Sequence, residues 1–116
     1  VGMLPWPSAG FDPRKLADEL DFIAVHMYPA KGKVAKAIDE LQAFDVGKPL
    51  VIEETFPLNA GADDLRRFIE ASRGVADGWV GFYWGRTPEE LKASPDAGDQ
   101  VTLAWLDLFR AMNPNR

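Results

Sequence analysis

Two hydrophobic periods alternate along the chain. Asp21-Phe22-Ile23-Ala24-Val25-His26-Met27-Tyr28-Pro29 is dense in β-branched and aromatic residues and closes on proline, which predicts a buried strand running into a loop. Lys48-Pro49-Leu50-Val51-Ile52-Glu53-Glu54-Thr55 forms a second short apolar run, and Gly78-Trp79-Val80-Gly81-Phe82-Tyr83-Trp84-Gly85 a third, bounded by glycines. Between the runs the spacing changes. Val34, Ala37, Ile38 and Leu41, then Leu65, Phe68 and Ile69, recur at i, i+3, i+4 and predict two amphipathic helices. Asp12-Pro13 and Ala62-Asp63-Asp64 supply helix starts, because proline suits the first turn and acids suit the positive end of the helix dipole. A last helix is expected from about Gln100 to Met112, burying Leu103, Leu106 and Trp105, with Asn113-Pro114 to end it.

The resulting order, helix and strand in alternation with near-continuous apolar strands, implies an α/β protein with a parallel sheet buried on both faces. No dinucleotide fingerprint, phosphate loop or nucleophile elbow is present. That favours part of a (β/α)8 barrel over a doubly wound fold. Residues 1–116 are read as one unit. A half barrel alone would leave two parallel edge strands unpaired, so its expected partner is the N-terminal remainder of the barrel or another copy of the chain.

Composition adds mainly exclusions. A chain of 116 residues with 47% hydrophobic content suffices for one domain with a core. The net charge of −5 comes from interspersed acids and bases, which argues against nucleic acid or an anionic membrane surface as partner. There is no cysteine, so disulfide and thiolate chemistry drop out while the compartment stays open. No apolar run approaches the roughly 20 residues of a membrane helix. The start, Val1-Gly2-Met3-Leu4-Pro5-Trp6-Pro7, has no signal-peptide pattern and reads as the interior of a longer protein. With a single histidine, a His-rich metal site is not available, and neither metal nor cofactor is expected.

Candidate chemistry sits at the strand ends, where barrel enzymes keep it. Alternation places Ala24, His26 and Tyr28 on one face of the first strand, so His26 and Tyr28 either look into one cavity mouth or are buried and satisfied by local hydrogen bonds. On the second strand, Glu53 and Glu54 follow four residues with every reason to be buried, and a carboxylate there costs several kcal/mol unless it is paired or used. Alternation groups Leu50, Ile52 and Glu54 on one face and Val51 and Glu53 on the other. Glu54 is therefore assigned to the cavity and Glu53 to the wall side; alternatively both pair with Lys or Arg of adjacent loops. At the third strand, Trp84 either plugs the core or offers a flat platform to a sugar ring.

Together these three strand ends resemble strands six, seven and eight of the cellulase-like barrels of glycoside hydrolase family 5 and its clan, over nearly the whole chain. The resemblance implies that the chain is the C-terminal portion of a TIM barrel, about strands 5/6 to 8. In that family an H-x-Y on strand six lines the site, a glutamate after a K-P-(apolar)3 run is the nucleophile, and a strand-eight tryptophan floors the cleavage subsite. Those roles fall here on His26 and Tyr28, on Glu54 and on Trp84. Val1 to Pro7 resembles the end of strand five, with Trp6 a further sugar contact and Glu53 a neighbouring substrate contact. Two departures stand out. The family commonly has an aromatic residue and glycine after the nucleophile, where this chain has Thr55-Phe56. Its acid/base glutamate follows asparagine on strand four, and this chain has no Asn-Glu pair, which puts that residue upstream.

The implied activity is a retaining glycosidase of the cellulase or mannanase kind, working on β-linked oligo- or polysaccharide by double displacement. Glu54 would attack the anomeric carbon while an upstream acid about 5 Å away protonates the leaving oxygen. Tyr28 would hydrogen-bond Glu54 and keep it ionised, and His26 would contact substrate or orient its neighbours. The other readings are a non-catalytic carbohydrate-binding or scaffold protein and a barrel enzyme of unrelated chemistry.

Overall fold

The computed structural model describes residues 2–5 and 11–113. These form a mixed α/β structure with a four-stranded parallel sheet and five α-helices among the described residues. The strands are β1 (Gly2–Met3), β2 (Ile23–His26), β3 (Leu50–Thr55) and β4 (Gly78–Gly81); the helices are α1 (Pro13–Leu16), α2 (Val34–Gln42), α3 (Ala62–Ser72), α4 (Pro88–Ala93) and α5 (Ala97–Ala111). Two compact units are distinguished, residues 1–82 and 83–116.

The first unit holds the sheet, in the order β1-β2-β3-β4, so each strand lies beside its predecessor in the chain. Parallel neighbours need crossover connections, and the helical segments supply them. Asp12 caps α1 by accepting from the Arg14 backbone N–H at 3.1 Å, with Pro13 in the first turn as expected. In α2, Ala37 and Leu41 are buried, and in α3 Leu65, Phe68 and Ile69 are buried, so the apolar stripe read from the spacing is the stripe that packs. α2 and α3 touch one another, as two successive crossovers of the usual right hand require. Gly47, at φ 78°, makes the turn between α2 and β3, a backbone angle that a β-carbon would oppose.

The register divides the sheet into two faces. Met3, Val25 and Ile52 form one row, with Ile23 and Leu50 beside it, and all five are almost inaccessible. Gly2, Ala24, Val51 and Gly78 form the other row, whose side chains are small or half-buried. The expectation of burial on both faces holds least for β4: Val80 is 51% exposed, and Phe82 just beyond it is 59% exposed. β4 has one strand neighbour among the described residues, which explains the difference. The strands are also shorter than the apolar runs. Phe22 precedes β2 and is exposed, and Tyr83, Trp84 and Gly85 lie beyond β4.

In the second unit, Thr87 and Glu90 form a reciprocal capping box at the start of α4. Asp96 caps α5 by accepting from the Gly98 and Asp99 backbone N–H groups, which moves the helix start to Ala97 from the expected Gln100. In α5 only Trp105 is buried, stacking with Phe109 at 5.2 Å between ring centroids. Leu103 and Leu106, expected in the core, are half-buried.

Candidate functional site

β2 and β3 run side by side, and their C-terminal ends converge on one imidazole. His26 Nδ1 lies 2.8 Å from Glu54 Oε2, and His26 Nε2 lies 3.0 Å from Glu53 Oε1. The Nε2 contact is a hydrogen bond and the Nδ1 contact a close ring–carboxylate approach, so one imidazole is held between two consecutive glutamates. The site is only partly withdrawn from solvent, Glu54 being its least exposed carboxylate at 21%. Neither glutamate pairs with Lys or Arg among the described residues.

The cause is a register shift. Val25 faces Ile52, but His26 faces Glu54, and the same interval on the other side runs from Ile52 against Trp79 to Thr55 against Gly81. β3 therefore carries one extra residue relative to both neighbours, a β-bulge at Glu53-Glu54. Strict alternation put Glu54 with Leu50 and Ile52; the bulge takes it off that buried face and turns it to His26. It also corrects the placing of Glu53, which bonds the other edge of the ring. Thr55 resumes the buried face, with its Oγ1 lacking a hydrogen-bond partner among the described residues.

Tyr28 completes the group. Its phenol donates a hydrogen bond to Glu54 and stays protonated well above the ordinary tyrosine range; burial is the main cause, followed by that hydrogen bond and the nearby negative charge. A cavity of about 420 Å³ opens here, lined by His26, Tyr28 and Glu54 together with Leu4, Pro5 and the Lys36–Glu40 ion pair. His26 and Tyr28 thus do share a cavity mouth.

Comparison with protein-family models, curated proteins and solved structures finds no match to this chain.

One residue of the site is not visible in any strand-end motif. A β-carbon at Gly2 would overlap Glu53 Oε1 and His26 Nε2, so glycine in β1 is what lets the pair lie over the strand. A glycine within a strand pattern is itself a signal of close approach, and it was the available clue. Of the aromatic residues, Trp84 is fully exposed, at 101%, in the second unit. The Trp6 assignment falls outside the described residues. No three His, Asp or Glu side chains among the described residues are arranged to hold a metal ion. No described helix is long and apolar enough to cross a membrane.

Proposed function

We propose that the chain is part of a retaining glycosidase acting on β-linked oligo- or polysaccharide, with Glu54 as nucleophile, and that its sheet is the C-terminal portion of a (β/α)8 barrel. The observation that carries the reading is the grip on Glu54. One carboxylate, at the C-terminal end of a parallel strand, receives the Tyr28 phenol and faces His26 Nδ1 at 2.8 Å, beside an open cavity. Groups held against a carboxylate fix its orientation, which an attacking oxygen needs. The resemblance of the strand-end motifs to family 5 supports the same assignment, and the unreversed order β1-β2-β3-β4 suits a barrel segment.

In the first step, Glu54 forms a bond to the anomeric carbon as the glycosidic bond breaks, and the departing oxygen takes a proton from an upstream acid. Water then attacks the glycosyl ester, with that residue accepting its proton. A test independent of the acid is available, since fluoride departs without protonation. Incubation with 2-deoxy-2-fluoro-β-glucosyl and β-mannosyl fluorides should add one fluorosugar to the protein at Glu54, read by mass spectrometry. Glu54→Gln should take up none while melting at the same temperature. A label elsewhere, or none in the folded wild type, would remove Glu54 from this role.

The exposed Trp84 favours a second reading, carbohydrate binding without hydrolysis. Titration with cello- and manno-oligosaccharides, repeated with Trp84→Ala, separates the two: binding lost in the variant with no turnover in the wild type supports it.

A further inference from the structure

His26 is the only histidine of the chain, and its ring is engaged on both edges. The Nδ1 contact to Glu54 alone would leave the ring free to turn about its bond to Cβ, because one contact does not fix a plane. Glu53 supplies the second point. Its carboxylate has no other hydrogen-bond or ion-pair partner among the described residues and is one-third exposed, so neither another pairing nor burial accounts for its placement. Two features of the backbone make the contact possible. The bulge in β3 sets consecutive glutamates on opposite edges of one ring, and Gly2 leaves clear the volume where Glu53 and His26 meet.

We infer that Glu53 is a positioning residue: it clamps the imidazole of His26 through Nε2 so that Nδ1 is held against Glu54, and Gly2 provides the space in which the clamp closes. The kinetic consequence rests on the glycosidase reading above; the geometric one does not. Holding two like-charged carboxylates about one ring is unfavourable in itself, and partial exposure of both keeps that cost small by solvent screening. What the arrangement gains is direction. A nucleophile displaced by about 1 Å loses on the order of 100-fold in rate.

The test uses three variants of the full chain: Glu53→Ala, which removes the clamp; Glu53→Gln, which keeps a hydrogen-bonding group of the same length; and Gly2→Ala, which disturbs the clamp without changing its charges. With one histidine, the ring nitrogen resonances of His26 are unambiguous by NMR. Glu53→Ala and Gly2→Ala should move both the Nε2 and the Nδ1 signals, and Glu53→Gln should leave Nδ1 near its wild-type position. Nδ1 unmoved in a folded Glu53→Ala protein would overturn the clamp, whatever the activity; that variant carries the test if Gly2→Ala does not fold.

On a reactive aryl β-glycoside, kcat should fall about 100-fold in Glu53→Ala with KM unchanged, and Glu53→Gln should restore most of it. A fall in KM affinity with kcat intact would make Glu53 a substrate contact and overturn the positioning role. Ring signals that move as expected in a protein without glycosidase activity would uphold the clamp and count against the glycosidase reading alone.

Discussion

β3 and β4 look alike in sequence and differ in the folded protein. Both are short apolar runs that follow a helix and end in polar or aromatic residues. Leu50 and Ile52 of β3 are almost wholly buried, whereas Val80 of β4 is half exposed. Among the described residues β3 is paired on both sides and β4 on one. At their ends the contrast sharpens: β3 delivers Glu53 and Glu54 to His26, and beyond β4 Trp84 stands in solvent. A strand held from both sides and beneath can present a carboxylate in a defined direction; an edge strand offers area rather than direction. Apolarity marks both runs as strands, but place in the sheet decides which can carry exact geometry.

The comparison can be broken most severely at Glu54. On the glycosidase reading proposed above, loss of turnover in Glu54→Gln of the intact enzyme, with an unchanged melting temperature, is the largest effect expected and is checked by steady-state assay on aryl β-glycosides. Stability should then separate the two strands. Ile52→Ala leaves a cavity in a packed row and should cost about 2–5 kcal/mol, while Val80→Ala at the exposed edge should cost about 0.5 kcal/mol or less, both from denaturant midpoints.

Tyr28 gives a pH-dependent version of the test. Because the folded protein holds the phenolic proton more tightly than the unfolded chain, its contribution is intact below the ordinary tyrosine pKa, about 10, and is lost as pH rises from there through the folded value. The stability difference between wild type and Tyr28→Phe should therefore be constant from pH 7 to 9 and shift against the wild type at higher pH; a constant difference throughout would remove the constraint. The smallest effect lies under the bulge. Thr55→Val deletes a buried hydroxyl without a partner among the described residues and should be neutral or stabilising by about 1 kcal/mol.

Much of the scaffold was legible in the sequence. Ile23-Ala24-Val25 and Leu50-Val51-Ile52 declare strands by composition, and Leu65, Phe68 and Ile69 declare the buried stripe of α3. His26, Tyr28 and Glu54 could be grouped because each closes or follows a run. What failed was the assumption of uninterrupted alternation. A bulge changes the face of every residue after it, and Glu53-Glu54-Thr55 carries no local mark of an inserted residue. Gly2 escaped because its role is to have no side chain beneath groups that arrive from β2 and β3. The capping box of α4 was readable as Thr87-Pro88-Glu89-Glu90, yet its six residues are too few to stand out by periodicity. Leu103 and Leu106 were overweighted as core because spacing alone does not say how deeply a helix is covered.

The one-sided pairing of β4 among the described residues has a consequence beyond this chain's own fold. Among the described residues its outer backbone edge has no strand partner, and with Val80 and Phe82 it forms a margin of the kind at which a further strand can extend the sheet. The net charge of −5 opposes that encounter, and its reach shrinks to about 10 Å at 0.1 M salt. Lowering the ionic strength should therefore disfavour the pairing of two such margins.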